Sequence, residues 1–237
     1  ITTLKWPVTL AIWNPDTNTF SVRPLLRQEK KLTDRDGGIV TDIEVLRVNG
    51  VNSEYILPSS PRSIVVANIS PILKQHDSAN YLLQPVIYTP YSSALHLASM
   101  VNWGKSYFDT LVDEVYADLR VQQIRSREFP NKLMVDVIDE HVVQAIAIIE
   151  HADLSLMQSQ PLRTTEAFFV TLAGNDVDTY AYSRSSAGAL GLVQFIPSTY
   201  KFLVDKRPEL NLIKDFETGM RTPKNAIKAQ IGYLDLL

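Results

Sequence analysis

The sequence predicts an α+β chain in which a small β-rich region, residues 1–76, precedes a mainly helical domain, residues 77–237. Three observations lead there. Up to about residue 75, short segments rich in β-branched residues alternate with turn chemistry. Beyond it, apolar residues recur at helical spacing over many turns. A chain of 237 residues with 45% hydrophobic content can also bury a substantial core, in one large domain or two small ones.

The strand candidates are PVTLAIW, FSVRPLL, GIVTDIEVLRV and RSIVVANI, separated by turns such as NPDTN at 14–18 and DRDGG at 34–38. A turn at DSAN, 77–80, marks the change of texture. The run from Ser92 to Glu128 then carries a helical stripe for several turns, and DEHVVQAIAIIEHAD, 139–153, carries another. After it, FFVTLAG and TYAYSR flank Asn175 and Asp176 like the arms of a β-hairpin. No internal repeat or low-complexity tract interrupts the chain.

Composition narrows the function. The net charge of −3 argues against a nucleic-acid partner, since phosphate binding needs a concentrated basic face, and the runs RQEKK and RSR read as solvated surface. No apolar stretch approaches the ~18 residues of a transmembrane helix. The absence of cysteine excludes disulfides and thiolate metal sites and leaves the redox compartment open. A first residue of isoleucine suggests either a trimmed chain or a mature one whose leader has been removed, a weak hint of export.

Two segments carry candidate chemistry. From Asp139 as N-cap, an apolar stripe runs Val142, Val143, Ile146 and Ile149, and Glu150 follows on the same side. Burial there would raise the carboxyl pKa and suit a general acid. The alternative is a glutamate at the helix edge that reaches water or a cation. The second segment, SSAGALGLVQFIPSTY at 185–200, is a poor helix, because each glycine costs about 1 kcal/mol against alanine. If the run is helical, Gly188 and Gly191 lie on neighbouring turns and admit a close-lying backbone or ligand.

Together the two segments resemble the lysozyme-like lytic transglycosylases of bacterial cell walls. In that family a glutamate closes a hydrophobic helix, and a later motif, Ser-x-x-Gly-Ala-x-Gly-Leu-x-Gln followed by an apolar pair and Pro-Ser-Thr, lines the glycan groove. Ser185, Gly188, Ala189, Gly191, Leu192, Gln194, Pro197, Ser198 and Thr199 match it. The resemblance, covering residues from about 80 onward, implies Glu150 as the catalytic residue. It also implies Ser185, Gly188 and Gln194 as sugar contacts, with bracing of a neighbouring loop as the alternative role for Gln194. The implied reaction cleaves the bond between N-acetylmuramic acid and N-acetylglucosamine in peptidoglycan. One glutamate acts first as acid, then as base, and the muramic acid's own 6-hydroxyl closes a 1,6-anhydro end. No cofactor and no metal are implied, and the substrate places the protein in the periplasm or cell envelope.

Three departures from the family pattern stand out. Residues 154–184 form a long insertion, hairpin-like by composition, in which Tyr180 and Tyr182 offer rings for stacking on sugars. The insertion also makes Glu166 a rival acid. The late helix AIKAQIGYL, 226–234, keeps Tyr233, a candidate to orient the glutamate, but has Ala226 and Gln230 where the family has asparagine and glycine. The chain stops at Leu237, in mid-helix by its pattern. Two other readings stay open: a goose-type lysozyme hydrolase, and a non-catalytic glycan-binding or scaffolding module whose β-rich region attaches it to an envelope protein. His141 and His151, ten residues apart on one helix, are too distant to share a metal ion.

Overall fold

The computed structural model describes residues 5–75 and 81–237, and the DSAN turn lies outside them. The chain divides into two compact units, Ile1–Leu97 and Ala98–Leu237.

The first unit is built on strands β1 (Trp6–Asn14), β2 (Thr19–Gln28), β3 (Lys31–Thr33), β4 (Glu44–Arg47), β5 (Glu54–Ile56), β6 (Ile64–Gln75) and β7 (Tyr81–Tyr88). Five of them form an antiparallel sheet in the order β3-β2-β1-β6-β7, and β4 and β5 form a separate pair. The period of two is plain in β1, where Val8, Leu10 and Ile12 are buried and gather with Leu25, Val45 and Tyr55 in one core. NPDTN makes the β1–β2 turn as expected, with the Asn14 side-chain oxygen accepting from the backbone N–H of Asp16 (2.9 Å). The expected boundary at 76/77 moves to 97/98, because β7 pairs antiparallel with β6 and so belongs to the sheet.

The second unit is helical: α1 (Ala98–Val121), α2 (Glu140–His151), α3 (Leu154–Ser159), α4 (Pro161–Asn175), α5 (Pro197–Lys206), α6 (Phe216–Arg221) and α7 (Pro223–Leu234). Its core joins Phe108, Val112 and Leu119 of α1, Phe168 and Leu172 of α4, and Ala226, Ile227 and Ile231 of α7. The architecture is thus α+β. The helix α7 ends at Leu234, before the last residues of the chain, where the N–H of Asp235 bonds back to Ile231.

The hairpin expected within 154–184 is replaced by helices α3 and α4. Asp153 caps α3 by accepting from the N–H of Leu156 (3.0 Å), and Pro161 starts α4 at the position where a missing N–H costs nothing. The aromatic and β-branched residues that suggested strands, Phe168, Phe169 and Val170, are buried as helical residues. Tertiary burial overrides β propensity here. Glu166 consequently lies inside α4 and not on a strand.

Candidate active site

The helix bearing Glu150 begins as expected, with the Asp139 carboxylate accepting from the N–H of His141 (2.7 Å). Its buried face differs from the expected stripe. Val143 and Ala147 are fully buried, whereas Val142 and Ile149 are exposed. Glu150 follows Ala147 by three residues and Val143 by seven, so it prolongs the buried face where that face opens to solvent. It is exposed, not buried as expected. Protein packed around it still withdraws enough water to raise its pKa above the ordinary carboxylate value. Its carboxylate makes no hydrogen bond or ion pair with the other described residues.

The neighbouring His151 ties this helix end to the glycine-rich segment. Its Nε2 lies 3.0 Å from the carbonyl oxygen of Leu192, and its ring stacks on Tyr180 with centroids 3.6 Å apart. Helix α7 closes the arrangement from another side. Gln230 donates from Nε2 to the carbonyl of Val143 in α2 (3.0 Å), and Tyr233 meets Phe195 edge-on at 5.5 Å. The end of α2 is thereby held to the loop around Leu192 through His151, and α7 is held to the first turn of α2 through Gln230 and to the loop through Phe195.

The segment 185–196 is not helical. It is a loop closed by single bridges between Arg184 and Leu190 and between Leu190 and Phe195. Leu190, Leu192 and Val193 are plugged into the core, so the backbone has to turn sharply between them. Gly188 at φ +82° and Gly191 at φ +79° supply the left-handed conformations for those turns. Gly191 also meets a close backbone: a Cβ there would sit 2.2 Å from the carbonyl oxygen of Met220, while one at Gly188 would meet open space.

The expected sugar contacts divide. Ser185 is exposed, but its hydroxyl accepts from the N–H of Ala189 (3.0 Å). Gln194, itself at φ +49°, donates from Nε2 to the carbonyls of Gly191 (2.7 Å) and Ser183 (3.1 Å), so it braces the loop and leaves only its oxygen side for other partners. Tyr182 is half-buried with the Arg221 guanidinium 5.0 Å over its ring, and Tyr180 is buried. Neither ring is the free stacking surface that a hairpin arm would have presented. Tyr233 is half-buried beside Phe195.

One acidic residue escaped the sequence reading. Asp176 caps the C-terminus of α4 at φ 51°, ψ −127°, a conformation costly for any residue with a side chain. Its carboxylate lies near the phenol of Tyr107, whose pKa is pushed up to about 12 by burial first and by this carboxylate second. The signal was present: Asp176 closes a hydrophobic run and stands nine residues before Ser185. It was masked by the hairpin reading. Among the described residues no group of three His, Asp or Glu side chains is placed to hold a metal ion, and no helix is long and apolar enough to cross a membrane. Compared with family models, curated proteins and solved structures, the chain matches none.

Proposed function

We propose that the protein is a peptidoglycan lytic transglycosylase with Glu150 as its single acid and base. The observation that carries this reading is the placement of Glu150: an unpaired carboxylate of raised pKa, at the end of a helix whose next residue is bonded to Leu192 of the GALGLVQ loop. A carboxyl group that keeps its proton at higher pH than usual can protonate the glycosidic oxygen as the bond breaks. The resulting carboxylate can then take the proton of the 6-hydroxyl that closes on the anomeric carbon, so no water is consumed. Ordinary glycoside hydrolysis needs a second carboxylate to act as nucleophile or base.

The experiment is mass spectrometry of digested peptidoglycan. Anhydro ends support the proposal. Reducing ends point to a lysozyme-type hydrolase, and intact polymer to a glycan-binding or scaffolding module. A second assignment of the acid is favoured by one observation: α4 is a hydrophobic helix closed by Asp176 only nine residues before Ser185, the short connection that the family resemblance leads one to expect. Glu150→Gln and Asp176→Asn separate the two. Loss of cleavage in the first alone assigns Glu150, and loss in the second alone assigns Asp176. We further propose an envelope location, which follows from the substrate.

A further inference from the structure

A cleft of about 360 Å³ opens on the helical unit between α1, the turn after α4 and the start of α7. Its apolar lining is Leu111, Val177 and Pro223, and Thr110 and Thr222 line it with hydroxyls. The rim also holds the Glu114–Lys224 ion pair (2.8 Å). A second depression of about 390 Å³ shares Glu114, Thr222 and Lys224 with it and continues toward Asp118 and Lys228. At the near end stands Tyr107, and one turn before it Trp103, half exposed, lies parallel to the Tyr107 ring at 5.7 Å with an interplanar angle of 3°. Positions 103, 107, 110, 111, 114 and 118 fall on one side of α1, so this face runs for about 22 Å along the helix axis.

We infer that this face of α1, with Trp103 and Tyr107 as stacking platform, is a glycan-binding surface that seats pyranose rings. The inference rests on the glycan-active reading above and names where part of the strand lies. A pyranose ring has an apolar face of C–H groups and an edge of hydroxyls. The outer face of the exposed Trp103 ring, backed by the parallel Tyr107 ring, suits the face of a sugar, and the hydroxyl and paired-charge rim offers the edge both donors and acceptors. A purely apolar partner would desolvate that polar rim without offering it hydrogen bonds in return. The surface also supplies what Tyr180 and Tyr182 do not, since one is buried and the other carries Arg221 on its ring. The positive-φ backbone at Asp176 adds to this, because it holds that carboxylate toward Tyr107 at the cleft wall.

The test is calorimetric titration of the full chain with soluble N-acetylglucosamine oligomers, which present the sugar face without requiring cleavage. Trp103→Ala should weaken binding about fivefold to tenfold, and Trp103→Phe should restore most of it. Because Trp103 is half exposed, both variants should keep the native far-ultraviolet circular dichroism. Equal binding by native protein and Trp103→Ala would overturn the inference, as would no sugar binding by the native chain, or occupation of the cleft by an amphipathic peptide in place of sugar. The two readings fail separately. Trp103-dependent binding with no digestion product sinks the transglycosylase and keeps the glycan surface; anhydro products with Trp103-independent binding do the reverse.

Discussion

Replacing Gly191 by alanine should be far more damaging than the same change at Gly188, three residues earlier in the same loop. Both residues hold left-handed backbone, at φ +79° and +82°, so both substitutions incur the ~1–2 kcal/mol cost of placing a Cβ in that region. They differ in what the new methyl meets. At Gly188 it enters open space, whereas at Gly191 it would stand 2.2 Å from the Met220 carbonyl oxygen and 3.0 Å from its carbon. Those are backbone atoms of a buried residue, 1% exposed, and they cannot rotate away. Forcing α6 to yield adds an overpacking cost of about 1–3 kcal/mol. Gly191→Ala should therefore lose about 2–5 kcal/mol in all and Gly188→Ala about 1–2. At about 2–4 °C per kcal/mol for a domain of this size, the first corresponds to a fall in Tm of roughly 4–20 °C. Melting both variants by near-ultraviolet circular dichroism, which reports packing around the aromatic side chains, makes the comparison. Equal Tm values for the two variants would refute the reasoning.

Glu150→Gln tests the raised pKa independently of catalysis. A carboxyl whose folded pKa exceeds its unfolded value contributes stability that is present below the unfolded value, near 4.5, and is lost as pH rises through the folded one. The glutamine variant should thus melt above the native protein at neutral pH, with the gap closing below pH 4.5; a gap that widens on acidification is the contrary result. If Glu150 is the acid, cleavage should also fall as pH rises through its raised pKa, which a pH profile of turnover measures. Arg207 and Asp235 are both wholly buried and paired at 2.7 Å. Arg207→Met should cost about 3–5 kcal/mol by stranding the carboxylate, read as a lower urea midpoint, and Arg207→Met with Asp235→Leu should regain much of it. Gln230→Leu should be nearly neutral in the same assay. It forfeits one bond to Val143 but removes a side-chain oxygen that is buried without a partner among the described residues.

What the sequence determined by itself is what depends on neighbours along the chain. The alternation in β1, the Asn14 turn and the Asp139 cap are local events within a few residues, and each formed where the pattern placed it. Helix α1 likewise followed from its apolar period. Of the candidate site, the sequence shows Glu150 near the end of a capped helix, and the structure adds that the following His151 meets Leu192 of the glycine-rich loop. Tertiary structure decided the rest. The run TTEAFFVTL has strand-like composition, yet Phe168 and Leu172 enter a core shared with α1 and α7, and that burial fixed the helical state. Gly188 and Gly191 carry no sign in their own residue type of whether they serve helix packing or a left-handed turn. The burial of Leu190 and Leu192 on either side forced the turn, and the approach of Met220 confined Gly191. Exposure of Glu150 and burial of Tyr180 were settled the same way, because which part of a helix or loop meets solvent depends on segments distant in sequence that pack against it.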